Sequence, residues 1–159
     1  MSFKELDALL AEDAQTSEVD GGPRPHILVI DDDETIRKSL AALFGKRYTV
    51  SLAASAQEGI AALHADLRVA IVDVKMKGYD GFWACNEIRK VHPELPVIFY
   101  SAYQDLKDPY QIINEHRPFG YLTKDGDRRR LIEAVDMAVR LHELAREAKN
   151  LVHSLREPR

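Results

Sequence analysis

The sequence predicts an α/β fold, a parallel five-stranded sheet with helices on both of its faces. Two observations predict it. Short apolar runs at 27–30, 48–53, 69–72, 97–100 and 119–122 alternate five times with segments of helical spacing, an order that requires parallel strands with right-handed crossovers. The polar residues, in turn, collect where the apolar runs end: Asp31 and Asp32, Asp73, Ser101 and Lys124. In an open parallel sheet those ends share one edge, the edge at which such folds hold their ligands.

Each element has its own signal. Phe3, Leu6, Leu9 and Leu10 are spaced for a short amphipathic helix over 2–12, too short to stand alone in water. Residues 14–25 read as a linker, with Gly21-Gly22 and two prolines flanking Arg24. The run at 27–30 is a buried strand that stops on Asp31-Asp32-Asp33-Glu34. Over 35–45, Ile36, Leu40 and Leu43 or Phe44 share a helix face, and Gly45 suits the stop. Residues 48–53 alternate as a strand. Ser55 then caps a helix through His64, with Glu58 three residues on as the reciprocal partner.

The third run, Ala70-Ile71-Val72, ends abruptly on Asp73, and the turn residues Lys77-Gly78-Tyr79-Asp80-Gly81 follow. A helix over 81–91 puts Phe82, Cys85 and Ile88 inward and leaves Trp83 exposed. Pro93 and Pro96 bracket the next turn, and the strand at 97–100 ends on Ser101. A helix is expected over 105–116, with Pro109 in its first turn, then a shorter strand at 119–122 ending on Thr123-Lys124. A long helix runs from about 127 nearly to the end. There is no internal repeat or low-complexity tract.

A chain of 159 residues with a 45% apolar fraction holds one domain with extensions. The net charge of -4 argues against a nucleic-acid partner held by a basic face. No apolar run approaches the roughly 20 residues that cross a bilayer, and the N-terminus lacks the order of a secretory signal. A single cysteine, Cys85, allows no intrachain disulfide and fits a reducing cytoplasm. The six histidines lie far apart in sequence and read as surface or capping residues rather than a metal site.

The chemistry follows from the strand ends. Three carboxylates brought together repel, and a hard cation relieves them; magnesium fits, since it takes oxygen ligands and bridges carboxylate to phosphate. Lys124 adds positive charge and Ser101 a hydroxyl donor, the groups that stabilise extra anionic oxygens arriving on a carboxylate. Together these residues read as a site that accepts a phosphoryl group on Asp73, the nucleophile, with magnesium and Lys124 neutralising the transferring oxygens.

These motifs resemble the receiver domain of two-component response regulators. Ile-Leu-Val-Ile-Asp-Asp-Asp-Glu is similar to its acid-pair strand, and Ile-Val-Asp-Val-Lys-Met-Lys-Gly-Tyr-Asp-Gly-Phe to its phospho-acceptor strand and loop. Ile-Phe-Tyr-Ser-Ala and Gly-Tyr-Leu-Thr-Lys match its Ser/Thr and lysine strands. The resemblance implies a flavodoxin-like (βα)5 fold with strand order 2-1-3-4-5, and a receiver over 25–142 between an N-terminal helix and linker (1–24) and a C-terminal helical extension (143–159). It implies that a histidine kinase or phosphotransfer protein phosphorylates Asp73, and that Mg2+ is held by Asp32, Asp73 and the backbone carbonyl of Lys75, with Asp31 acting through water. It makes Ser101 and Tyr121 the switch pair that re-forms the surface read by a downstream protein, and gives Lys75 and Tyr103 a part in phosphoryl lifetime. The chain departs from the family where Lys77 stands for a frequent proline and Asp125 for the usual cis proline after the lysine. A cis bond without proline costs roughly 2.5–4 kcal/mol, so Lys124-Asp125 is expected to be trans.

Two other readings compete. One is a receiver-like scaffold that works without phosphorylation. The other is an enzyme: Asp31-x-Asp33-x-Thr35 also resembles the nucleophile motif of haloacid-dehalogenase-type phosphatases, but that reading leaves Asp73 idle and finds no late acid pair. In the last helix, Ala134, Met137, Leu141, Leu144, Ala148, Leu151 and Leu155 follow an alternating three-four spacing. This predicts a stripe for a homodimer or partner helix, with Phe3, Leu6 and Leu10 as an alternative cover. No DNA-binding or catalytic output domain is expected within the chain, and the site's own chemistry is limited to autocatalytic phosphorylation and dephosphorylation.

Overall fold

In the computed structural model, residues 22–102, 108–125 and 127–157 are described. The expected N-terminal helix with Phe3, Leu6 and Leu10, most of the linker, and Tyr103 lie outside them. The elements run β1 (His26–Ile30), α1 (Glu34–Phe44), β2 (Thr49–Ala53), α2 (Ala56–Ala61), β3 (Leu67–Val72), α3 (Gly81–Val91), β4 (Val97–Ser101), α4 (Pro109–His116), β5 (Gly120–Thr123) and α5 (Arg128–Arg156). The strands form one sheet in the order β2-β1-β3-β4-β5, and every neighbouring pair is parallel. The expected fold class is observed.

Strand alternation divides the core into two layers. Leu28 and Ile30 of β1, Ala70 and Val72 of β3 and Phe99 of β4 pack with Ala84, Cys85 and Ile88 of α3 and Ile112 of α4. On the other face Ile27, Val29, Val69, Ile71 and Ile98 pack with Leu40 and Phe44 of α1 and Leu131, Val135, Ala138 and Val139 of α5. Helices cover both faces, so the central strands are buried almost throughout and read in sequence as unbroken apolar runs.

Short acceptor side chains start the helices. Asp33 accepts from the Thr35 and Ile36 amides, Asp80 from Trp83, and Ser55 from Glu58 at 3.1 Å. The Glu58 carboxylate reaches back to the Ala54 amide at 2.8 Å, one residue before the cap, a variant of the expected capping box. That helix stops at Ala61 rather than His64. Pro109 opens α4 as its first residue behind the Asp108 cap, so it begins the helix instead of interrupting it. Trp83, expected to be exposed, is half-buried and stacks on Tyr79 with ring centroids 4.0 Å apart.

α5 is unbroken for 29 residues. Its last buried residue is His142, so the boundary expected between domain and extension falls inside one continuous helix. Met137, Leu141, Leu144, Leu151 and Leu155 are 48–77% exposed, as is Val152 nearly so at 47%.

Candidate functional site

The register of the sheet builds the site. Ile30 and Val72 are partners across β1 and β3, so the next residues, Asp31 and Asp73, emerge side by side. The Asp73 amide donates to the Ile30 carbonyl at 2.9 Å and the Asp31 amide to the Ala53 carbonyl at 3.1 Å, which carries strand geometry through both acids. Across β4 and β5, Ser101 pairs with Thr123, and the Lys124 amide donates to the Ser101 carbonyl at 2.8 Å. The polar groups that end four strands therefore meet at one sheet edge.

Lys124 ties the acids together. Its Nζ donates to Asp31 Oδ2 at 2.7 Å and lies 3.4 Å from Asp73 Oδ2. One oxygen from each of Asp31, Asp32 and Asp73 lies within 4.8 Å of the others. Asp31 is 2% and Asp73 6% exposed, and Asp32 faces solvent. Burial, and next the Asp31 charge, push the Asp73 carboxyl up to about 6 against the pull of Lys124. Burial works against the Lys124 ammonium, but its bond to Asp31 and the paired charges win, and its pKa is raised. Among the described residues, this triad is the one group of three His, Cys, Asp or Glu close enough to share a metal ion. An all-oxygen, acidic donor set open to solvent through Asp32 suits a hard divalent cation such as Mg2+.

The other expected residues lie around this centre. The Ser101 side chain is fully buried and its hydroxyl has no hydrogen-bond partner among the described residues. Tyr121, on β5, is half-buried with its ring edge-on to Phe99 at 6.1 Å. Lys75 is exposed in the loop after β3. Met137, Leu141, Leu144, Leu151 and Leu155 stand apart from the acid cluster on the exposed side of α5.

Both departures from the resemblance have structural content. The Lys77 amide donates to Asp32 Oδ2 at 3.1 Å, a bond that a proline at 77 lacks the N–H to make. Among the described residues there is no cis peptide bond, Lys124-Asp125 included. Asp125 Oδ1 instead accepts from the Asp127 amide at 3.0 Å, while the Asp127 side chain makes no cap bond; Asp125 thus shapes the turn into α5. Sequence reading missed Arg37, whose Nη1 donates to the Asp31 carbonyl at 2.7 Å. Its signal was its place one helical turn after the acids. Close packing fixes the loop at Gly81, where a Cβ would come within 2.2 Å of the Asp73 carbonyl, and Gly78 turns it with φ +79°.

The comparisons agree with this geometry. Residues 27–136 match the family model described as the response regulator receiver domain. The chain is 34% identical over 116 residues to the transcriptional regulatory protein GlrR of Escherichia coli, covering 72% of this chain and 26% of that protein. It is 31% identical over 129 residues to the C4-dicarboxylate transport transcriptional regulatory protein DctD of Rhizobium meliloti, covering 80% and 28%. The chain thus spans about a quarter of these curated relatives. A response regulator receiver domain protein from Clostridium thermocellum superposes with TM-score 0.69 at 30% identity, over 76% of this chain and 98% of that one.

Proposed function

The chain belongs to the response regulator receiver domain family, and on that premise we propose that Asp73 accepts a phosphoryl group from a histidine kinase or phosphotransfer protein. The observation that carries this reading is Lys124 Nζ held between Asp31 and Asp73 beside a third carboxylate. An Asp73 oxygen attacks phosphorus, the donor's P–N bond breaks, and the leaving imidazole nitrogen keeps the electron pair and takes a proton. Lys124 lies against the oxygens that become anionic. Asp31, Asp32, Asp73 and the Lys75 carbonyl would hold Mg2+. The ion would supply charge neutralisation for the transferred group.

The Ser101 hydroxyl, without a partner among the described residues, is a donor available to a new phosphoryl oxygen. As Ser101 turns to it, the Tyr121 ring follows inward and re-forms the surface of α4, β5 and α5 for a downstream protein. Lys75 and Tyr103 tune how long the group survives. In this reading residues 25–142 are the receiver and 143–159 the extension, and the apolar stripe of α5 meets a second copy of the chain. A buried free cysteine, Cys85, and the absence among the described residues of a helix long and apolar enough to cross a membrane are compatible with work in the cytoplasm.

Intact mass after incubation with acetyl phosphate and Mg2+ tests the mechanism. Wild type gains one phosphoryl mass and Asp73→Asn gains none. A gain in both proteins, or in neither, overturns it.

A further inference from the structure

A second polar cluster lies at the opposite edge of the sheet, where the strands begin. His92 follows α3 as its C-cap, and His142, Arg146, Lys149 and Asn150 lie on one side of α5; together with His64 they line a cavity of about 420 Å3. The His92 and His142 rings are 5.9 Å apart. His142 is 5% exposed, yet neither of its ring nitrogens has a hydrogen-bond partner among the described residues, and the same holds for His92 Nε2 and Arg146 Nη1. Arg68 Nε, near enough for its charge to act on His92 and His142, also has no hydrogen-bond partner among the described residues; the Glu143 carboxylate lies 3.8 Å away, beyond hydrogen-bond range.

Buried polar groups are nearly always satisfied, and each exception costs about 1–3 kcal/mol. Four of these five nitrogens belong to His92, His142 and Arg146, which line the cavity, while Arg68 stands outside its lining. Nitrogens left in this way do not serve stability, and the N–H groups among them fit a guest with acceptor oxygens. The charges point the same way: Lys149 is paired with Glu94, but the Arg146 guanidinium has no ion pair among the described residues. A guanidinium whose Nη1 has no acceptor among the described residues, set in a half-buried wall, matches an oxyanion. A metal ion fits less well. The three histidines and Glu94 do not bring three ligand atoms together, since the acid triad is the one such group among the described residues. The remaining wall is apolar, from Leu63, Ala65 and Val91, and the cavity has the size of a small-molecule site.

We propose that this cavity binds the phosphate group of a small molecule through Arg146, His142 and His92. The bound oxyanion fastens α5 to the end of α3, at the point where α5 leaves the domain. The source is either free orthophosphate or a small phosphomonoester whose organic part lies on the apolar wall.

The test follows the histidine ring resonances of the full chain by NMR. Divalent cations are chelated, so that the acid triad takes no part. Inorganic phosphate, and separately phenyl phosphate, are added at constant ionic strength to about 10 mM. Saturable shifts confined to His64, His92 and His142 are expected, at least about tenfold weaker in Arg146→Gln and in His92→Gln. Tighter binding of phenyl phosphate assigns the ester, and equal binding assigns free phosphate. No saturable shift, shifts that persist unchanged in both variants, or a response to stoichiometric Zn2+ alone overturns the proposal. Both variants change half-buried residues, and retention of the wild-type amide spectrum shows that they fold.

Discussion

Asp73 carries a conflict that function requires. Its carboxyl is buried beside Asp31 and its pKa is raised to about 6, so without metal the folded protein holds that proton more tightly than the unfolded chain. The sign follows from linkage: the contribution to stability is present at low pH and is lost as pH rises from near 4 to just above 6. Urea unfolding in the presence of a chelator is expected to show the wild type losing stability across that window. Asp73→Asn should be more stable than wild type at pH 7, with the advantage shrinking at pH 5. Lys124→Met leaves Asp31 and Asp73 without their cation. It should cost about 3 kcal/mol at pH 7 and move the titration of Asp73 above 6, read by carboxyl-carbon NMR. These residues were legible in the sequence because each ends an apolar run, and a parallel sheet turns that linear position into a shared edge. His142 was not legible. Its neighbours Leu141 and Leu144 read as a stripe for a partner helix, and only the packing of α5 on the β3 and α3 ends encloses it.

At the scale of elements, existence and order were readable from period and caps, while ends were decided by local geometry. Ser55 and Glu58 announced the start of α2. Its end at Ala61 had no such signal, since no glycine or proline stands there. Pro109, expected in the first turn of a helix over 105–116, is the first residue of α4 because Asp108 supplies the cap. The approach of α3 to β3 was visible only as a glycine. Gly81 donates its amide to the Val74 carbonyl at 2.8 Å and leaves no room for a methyl group against Asp73. Gly81→Ala is therefore expected to cost about 1–3 kcal/mol in chemical denaturation and to slow acetyl phosphate labelling of Asp73, because the added carbon displaces the backbone of the acceptor itself. The long α5 was legible throughout, but its two roles were not separable. The core face ends at His142, and Leu144, Leu151 and Leu155 continue uncovered. If a second copy covers them, truncation after His142 lowers the oligomeric state measured by light scattering; an unchanged mass ratio per chain removes the dimer from the proposed function.

The whole molecule has two polar edges separated by a dry, doubly covered sheet. β3 links them directly: Arg68 near its start stands beside the histidine cluster, and Asp73 follows its end. Six strand residues at about 3.3 Å each put roughly 20 Å between the two sites. Among the described residues no side chain bridges that distance, and the interior between them is apolar on both faces. Groups so far apart, with no shared partner, contribute to stability independently to within about 0.5 kcal/mol. In chelated buffer at pH 7, Asp73→Asn raises unfolding stability by removing a buried like-charge repulsion. Arg146→Gln alters it through a cluster at the other edge, and the double variant should equal the sum of the two. A coupling beyond about 1 kcal/mol would mean that the sheet and α5 transmit between the edges as one body. The histidine pocket would then be a control on the acceptor site rather than a separate site on the same fold.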